Sequence, residues 1–474
     1  MHDEQASRGH RVPPRFFTYP DEPYTSDGRA KIRRRILGLF DDVKRDYSSL
    51  FTARDEIALS DRALAFLVSE LAPYDLSATD IDAKGIAYQE LVGTNLRGDR
   101  GQYFTPRGAV KLMVEILDPQ EHETVLDPAC GTGGFLRETL AHLLHRWQED
   151  DGTTGLPDTD EQLDAHQRRL RAYAEKHLFG ADFDPFLVRA TSANIMVLTA
   201  GERDGNIFHM DSLAFPRGHL DDVARARVRI PLDLPETPSK VDVLMANPPF
   251  GSDIKIIDPE ILAHYEENHG VARTWSRDRA TGKRVATVRD TPPPMAPEQL
   301  FIQRAVEWVR PGGRIGIVLP NGILSNPGPA DEAIRQWILD RCWVLASVEL
   351  PVETFIVDAN VNILTTLLFL KKTEQERLGE GIDQIGGTSQ DYPVFMAVAE
   401  KVGVDRRGND VYVRQPDGEI VFTMKEEKER IRIGGREQIR VLRRREKLVD
   451  NDLPRIAEAY RKFRASYPEP GLPR

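Results

Sequence analysis

The chain has 474 residues, 40% hydrophobic and 29% charged, with a net charge of −11. That is the composition of a soluble globular protein of two or three domains, and it excludes a uniformly basic nucleic-acid coat. No stretch approaches the ~20 apolar residues of a membrane span, the opening Met1-His2-Asp3-Glu4-Gln5 lacks a secretion pattern, and two cysteines (Cys130, Cys342) with eleven histidines in no H-E-x-x-H or C-x-x-C arrangement exclude a disulfide framework. The expectation is a cytoplasmic protein with no membrane partner and no metal.

Residues 1–28 are polar and contain proline, and read as an irregular arm. From Ala30 to about Leu96 apolar residues recur at helical spacing (Ile32, Ile36, Leu39, Phe40 and Val43, then Ala63, Leu64, Leu67, Val68 and Leu71). This predicts a helical N-terminal domain over 1–100, broken at Gly98 to Gly101. Gly101-Gln102-Tyr103-Phe104-Thr105-Pro106-Arg107 then leads into a predicted helix, Val110 to Leu117. Thr105 suits its N-cap with Pro106 at the first helical position. Exposed backbone there also suits an anionic ligand group, which makes Phe104, Thr105 and Pro106 candidate cofactor contacts.

Strand and helix patterns alternate from there to about Leu370, which predicts a doubly wound α/β domain over 101–372. The strand candidates are Thr124–Pro128, His177–Asp182, Ile207–His209, Val241–Met245, Arg314–Leu319, Val344–Leu350 and Asn362–Leu370. Only Pro351 to Val361 separates the last two, too few residues for a parallel crossover, so they are expected to pair antiparallel. Insertions at 149–168 and 252–297 are long enough to be functional or mobile. Residues 373–474 read as a mixed, then charged and helical, partner-binding C-terminal extension.

Asp127-Pro128-Ala129-Cys130-Gly131-Thr132-Gly133-Gly134-Phe135 follows the first sheet strand and opens a helix. Its glycines allow close backbone approach at the carboxyl edge of the sheet. A lone Gly-rich turn is weak evidence, but this one is neither G-x-G-x-x-G nor a Walker motif. The leading Asp127 suits a cationic group rather than a pyrophosphate. The candidates here are Asp127, Ala129, Gly131, Thr132, Gly133 and Phe135. At the tip of the second strand Asp182 is placed to accept from ribose hydroxyls, with Phe183 packing on a base. Asp184 reads mainly as the cap of the following helix, with Pro185 at its first position. Asp211, after the third strand, is either a contact for an adenine amine or a turn residue.

Asn247-Pro248-Pro249-Phe250 follows the apolar run Val241–Ala246. An exocyclic amine conjugated to a ring is a poor nucleophile because its lone pair is delocalised. The Asn247 side-chain oxygen and the Pro248 carbonyl can both accept from such an amine, drawing it toward tetrahedral geometry. Pro248 and Pro249 fix the backbone so that the acceptors converge, and Phe250 offers a face for a planar base. The structural alternative is a strand ending in a Pro-rich turn.

Two basic segments stand out, each either a nucleic-acid patch or a solvated face. Residues 271–290 hold six basic residues and two acidic ones, with Trp275 among them; residues 425–464 hold 14 basic and 8 acidic, a net of +6.

Together, Gly101–Arg107, Asp127–Leu136, Gly180–Gly201 and Asn247–Gly251 resemble the N6-adenine DNA methyltransferases, and more closely the modification subunits of type I restriction–modification systems, over about residues 30–410. The resemblance implies the class I methyltransferase fold, with seven strands and an antiparallel final pair. It implies S-adenosylmethionine as cofactor, bound by Thr105, Asp127, Gly131, Asp182, Asp211 and also Asn247. Asn247, Pro248 and Phe250 would act on an adenine flipped out of duplex DNA. Only about 100 residues follow Leu370, too few for a full sequence-reading domain, so a separate specificity subunit is expected; a second copy of the chain and a restriction subunit are further partners that the resemblance implies. The alternatives left open are a methyltransferase of this fold acting on RNA or protein glutamine, an adenine methylase of another phage-defence system, and a non-catalytic scaffold.

Overall fold

The computed structural model describes residues 14–48, 50–76, 105–152, 159–199, 206–215, 241–251, 254–267, 270–287, 292–359, 363–374, 392–433 and 436–470, with isolated positions between 3 and 87. Two helices come first, α1 (Ser26–Asp46) and α2 (Asp61–Leu71). Each is started by a hydroxyl: Thr25 Oγ1 accepts from the Gly28 amide at 3.1 Å and Ser60 Oγ from the Ala63 amide at 3.3 Å. Their apolar faces meet in a small core of Ile32, Ile36, Leu64, Ala65 and Val68, apart from the main ones.

The main body is an α/β sheet built in chain order. Helix α3 (Arg107–Leu117) precedes β1 (Val125–Asp127), then α4 (Gly134–Asp150), α5 (Asp160–His177), β2 (Leu178–Asp182), α6 (Pro185–Thr199), β3 (Asn206–His209) and β4 (Val241–Ala246). The insertion after β4 is not irregular throughout. It contains α7 (Pro259–Glu266) and a hairpin, β5 (Thr274–Arg277) with β6 (Arg284–Thr287). Next come α8 (Pro297–Trp308), β7 (Val309–Pro320), α9 (Asn321–Ser325), α10 (Pro329–Arg341), β8 (Cys342–Leu350), α11 (Glu353–Ala359) and β9 (Thr365–Lys372).

Eight strands run in the order β10-β8-β9-β7-β4-β1-β2-β3, β10 being Phe395–Val398. The seven expected strands are all present, and β8 pairs with β9 antiparallel as expected. The eighth, β10, adds parallel to β8. The chain beyond 372, expected to be a mixed, then charged and helical extension, contributes this strand to the sheet. Expectations fail in 425–464. Most of that charged run is a ribbon of β11 (Phe422–Ile433) and β12 (Arg436–Lys447), paired antiparallel along its length, and only α12 (Leu453–Ser466) is helical. α12 is no free tail, since Leu453, Ile456, Ala457 and Tyr460 are buried in the main core.

Both faces of the sheet are covered. In β4, Val243 and Met245 enter one core with α3, α4 and α12, while Leu244 and Ala246 enter the other with α7, α8 and α10. Alternation with both sides buried is why this strand reads as one continuous apolar run. The carboxyl ends of β1 and β4 are neighbours, with β2 and β3 beyond β1 and β7 beyond β4. Strand order reverses at this point, the place where open α/β sheets bind ligands. Among the described residues no helix is long and apolar enough to cross a membrane.

Candidate active site

The two turns singled out by sequence leave adjacent strand ends. The turn after β1 is held from several directions. The Cys130 amide donates to the Ala181 carbonyl at 2.9 Å and the Gly133 amide to the Cys130 carbonyl at 2.7 Å. Thr191 Oγ1 on α6 donates to the Gly131 carbonyl at 2.7 Å, Asn194 Nδ2 to the Thr132 carbonyl at 3.4 Å, and Ser212 Oγ to the Pro128 carbonyl at 2.6 Å. All three side chains are buried, and no motif marked them. Gly133 sits at φ +81°, where a Cβ would strike Thr191 Cγ2 at 2.8 Å.

Asp127 is 1% exposed and its Oδ1 accepts from the Ala129 amide at 3.1 Å. Asp182 accepts from the Gly131 amide on Oδ2 and the Asp184 amide on Oδ1, both at 2.9 Å. Burial pushes the Asp127 carboxyl well above the usual range, and the nearby Asp182 charge adds to it. Burial also raises Asp182, against the pull of its amide donors. Among the described residues neither carboxyl pairs with a cation. Phe183 is 67% exposed beside this pair, with its ring tilted at 51° to His209. Phe135 is buried in the core, which leaves only its backbone for a ligand. Asp184 Oδ1 accepts from the Phe186 amide at 2.8 Å, the capping role expected of it. Asp211 Oδ1 accepts from the Leu213 and Ala214 amides at 2.9 and 3.2 Å, so it holds a turn.

Thr105 corrects an expectation. Helix α3 begins at Arg107, Pro106 holds the N-cap position, and no side chain caps it. The Thr105 hydroxyl instead accepts from Asn247 Nδ2 at 2.9 Å. Phe104 and the rest of Gly101–Phe104 lie outside the described residues.

Asn247 is thus held by its nitrogen, while its Oδ1 is buried with no partner. Buried polar atoms are nearly always satisfied, so an acceptor left open at a strand's carboxyl end marks a place for a donor. Other unpartnered buried polar atoms border the same edge: Thr354 Oγ1 on α11, Thr365 Oγ1 at the start of β9, and Glu298 Oε2 on α8. Burial raises the Glu298 carboxyl, and the Gly251 amide donates to it. Gly251 has φ +142°, open only to glycine, which lets the chain turn away directly after Phe250.

Pro248 is buried and Pro249 exposed. Phe250 presents no open face: it is 4% exposed, edge-on to Phe355 of α11 with centroids 6.2 Å apart and planes at 77°. Phe355 is one of the neighbours that close off the ring in the core. Sequence reasoning took this stretch for a plain loop and missed Phe355. The basic segment 271–290 is partly structural, since Arg277 Nη2 lies 2.7 Å and Arg284 Nε 3.8 Å from Glu332 Oε2 on α10.

A reversing α/β sheet with an acidic Gly-rich turn and an Asn-Pro-Pro-Phe corner on neighbouring strands is that of a class I S-adenosylmethionine-dependent methyltransferase. The chain belongs to the N-6 DNA methylase family, whose model matches residues 79–400. It is similar to the type I restriction enzyme EcoEI methylase subunit of Escherichia coli, 26% identical over 58% of this chain and 43% of the relative. It is likewise similar to the EcoKI methylase subunit of Escherichia coli strain K12, 24% identical over 72% of this chain and 54% of the relative. The chain spans about half the length of these relatives. Among solved structures, the type I restriction-modification methyltransferase subunit from Streptococcus thermophilus is 18% identical, with a TM-score of 0.42 over 75% of this chain and 64% of that one.

Proposed function

We propose that the chain transfers a methyl group from S-adenosylmethionine to adenine N6 in duplex DNA, as the modification subunit of a type I system. The observation that carries this reading is Asn247: its amide nitrogen is fixed by Thr105 and its buried oxygen has no partner.

The pocket beside it suits the cofactor. A buried carboxyl, Asp127, and a half-buried one, Asp182, neither with a cationic partner among the described residues, favour a ligand bearing positive charge. A carboxylate has about four acceptor sites; Asp182 gives two to backbone amides and keeps the others for ribose hydroxyls. Phe183 lies exposed beside it to cover a base. When bound, S-adenosylmethionine supplies an electrophilic methyl group. Asn247 Oδ1 and the Pro248 carbonyl accept from the adenine amine, localise its lone pair and orient it for in-line attack. As the nitrogen takes the methyl group the methyl–sulfur bond would break, leaving S-adenosylhomocysteine, and the extra proton on N6 would pass to solvent while the two acceptors hold the amine. The corner cannot reach a base inside a duplex, so the adenine must be extruded, at a cost of a few kcal/mol. Stacking on Phe250 recovers ~1–3 kcal/mol once the neighbours that close off its ring yield.

The partners proposed with it are duplex DNA, a specificity subunit that selects the site, a second copy of the chain and a restriction subunit, a reading supported by relatives named as methylase subunits of type I restriction enzymes. The test is methyl transfer from labelled S-adenosylmethionine to unmethylated duplex DNA, RNA and glutamine-containing protein, with and without the specificity subunit. Label in N6-methyladenine of DNA alone, dependent on that subunit, is expected. Label confined to RNA or protein overturns the substrate, and site-specific methylation by the chain alone overturns the subunit role.

A further inference from the structure

We propose that the β11–β12 ribbon is a clamp for duplex DNA, holding phosphates beside the target base; this rests on the reading that DNA is the substrate. In a chain of net charge −11, residues 422–447 carry ten basic and five acidic side chains. Two strands of 12 residues pair without a third strand. A two-stranded ribbon alone is marginal in water, so its length is explained best by a ligand that it grips.

The register sorts its charges. Cross-strand partners share a face, and alternate pairs face the same way. One face therefore carries Lys428, Arg443, Arg445 and Lys447, with Glu426 the single acid among its described side chains. The last three cations recur at every second residue, about 6.8 Å apart.

These cations are held in place. Arg443 Nε donates to Glu426 Oε1 at 2.5 Å and is still 73% exposed. The Arg445 guanidinium lies 3.8 Å from the Phe422 ring centroid, and Lys447 Nζ lies 4.8 Å from that of Tyr412. Anchored cations lose less entropy on binding. The same face also exposes Phe422, Met424, Ile439 and Val441, but cations stand among them, whereas the core of a protein interface is depleted of charge. A polyanion suits a row of fixed cations, and the ~12 Å major groove of B-DNA admits a two-stranded ribbon.

The ribbon is also in the right place. At its base the Leu448 amide donates to the Val421 carbonyl at 2.8 Å, and Tyr412 bridges to Val449. The segment just before it is tied to the catalytic corner, where Arg406 Nε donates to Glu353 Oε1 at 2.9 Å on α11, the helix that carries Phe355. Near its tip Ile431 bridges to Tyr74, beyond α2. The N-terminal helices in turn adjoin α6 beside the cofactor turn, where Arg189 Nη2 donates to the Leu50 carbonyl at 2.8 Å. The ribbon, about 40 Å long at ~3.3 Å per residue, thus runs from the target-base side of the cleft toward the cofactor side.

The test is binding of the full chain to a mixed-sequence duplex across a salt series, comparing wild type with the triple variant Arg443→Gln, Arg445→Gln, Lys447→Gln. Each phosphate contact contributes about −0.9 to the slope of log K against log salt, so the variant is expected to flatten that slope by about two to three and weaken binding at least ~10-fold on any sequence. Its thermal midpoint and its affinity for S-adenosylhomocysteine should match wild type, which separates lost contacts from lost folding. An unchanged slope overturns the proposal, as does an intact slope accompanied by loss of a protein subunit. Asn247→Ala separates the two readings, since it should lose methyl transfer and keep the wild-type slope. A cation-dependent slope in a chain that methylates no DNA would refute the chemistry and leave the clamp standing. An unchanged slope with methylation intact would do the reverse.

Discussion

At the scale of single residues the site depends on one amide held by one hydroxyl. Thr105 Oγ1 takes the Asn247 nitrogen at 2.9 Å and so aims the oxygen. Thr105→Val removes the acceptor and frees the rotamer. It is expected to lower kcat about 10- to 100-fold, the scale of a 1 Å misplacement, with little change in the KM for S-adenosylmethionine. Thr105→Ser should recover most of the rate; an unimpaired Val variant would show that Asn247 needs no such hold. Asp127 gives a pH dependence. Burial lifts its folded-state pKa above the ordinary carboxylate value. Its contribution to stability is then fully present below the unfolded pKa and is lost as pH rises through the raised one. A cationic ligand needs the ionised form, so affinity for S-adenosylhomocysteine, whose amino group is cationic, should rise with pH across the same window. Asp127→Asn should flatten that profile, and calorimetry at several pH values decides it.

At the scale of elements, what each segment buries decided how much was legible. β4 reads as a strand because both of its faces are covered, and the antiparallel β8–β9 pair follows from a connection too short to cross over. The β11–β12 ribbon reads as a helix because none of its described side chains is buried, so charge density hides the pattern. The signal was Gly434-Gly435 with alternation in Arg430-Ile431-Arg432-Ile433, a two-residue hairpin signature. β10 is short and its outward residues Met396 and Val398 are exposed, so it carries no strong pattern. Thr191, Asn194, Ser212, Glu298 and Phe355 come to the site from distant segments, and local sequence cannot show that convergence. Another such contact ties the amino ends of two central strands of the sheet. Arg314 at β7 grips Glu123 before β1 with two hydrogen bonds, 2.9 and 2.6 Å, and donates to the Leu117 carbonyl at the end of α3 at 2.9 Å. Arg314→Ala leaves Glu123 buried and unpaired, and should destabilise the fold by about 3–5 kcal/mol in denaturant unfolding. A loss under ~1 kcal/mol would show that water reaches the pair and screens it.

At the scale of the molecule, the Gly-rich turn after β1 and the Asn-Pro-Pro-Phe corner after β4 leave adjacent strand ends, and the ribbon bridges to the segment after α2 through Ile431 and Tyr74. The match spans about half the length of the relatives, and the proposed division of labour leaves methyl transfer here and site selection to a specificity subunit. The most direct measurement is the single-turnover rate of methyl transfer from S-adenosylmethionine to unmethylated duplex DNA by Asn247→Ala, with the specificity subunit present. A rate lower by about 10²–10³-fold, with cofactor affinity kept within about threefold, is the result that removal of one preorganised acceptor predicts. A variant methylating within about threefold of wild type would contradict the role of that oxygen, and with it the chemistry assigned to the corner.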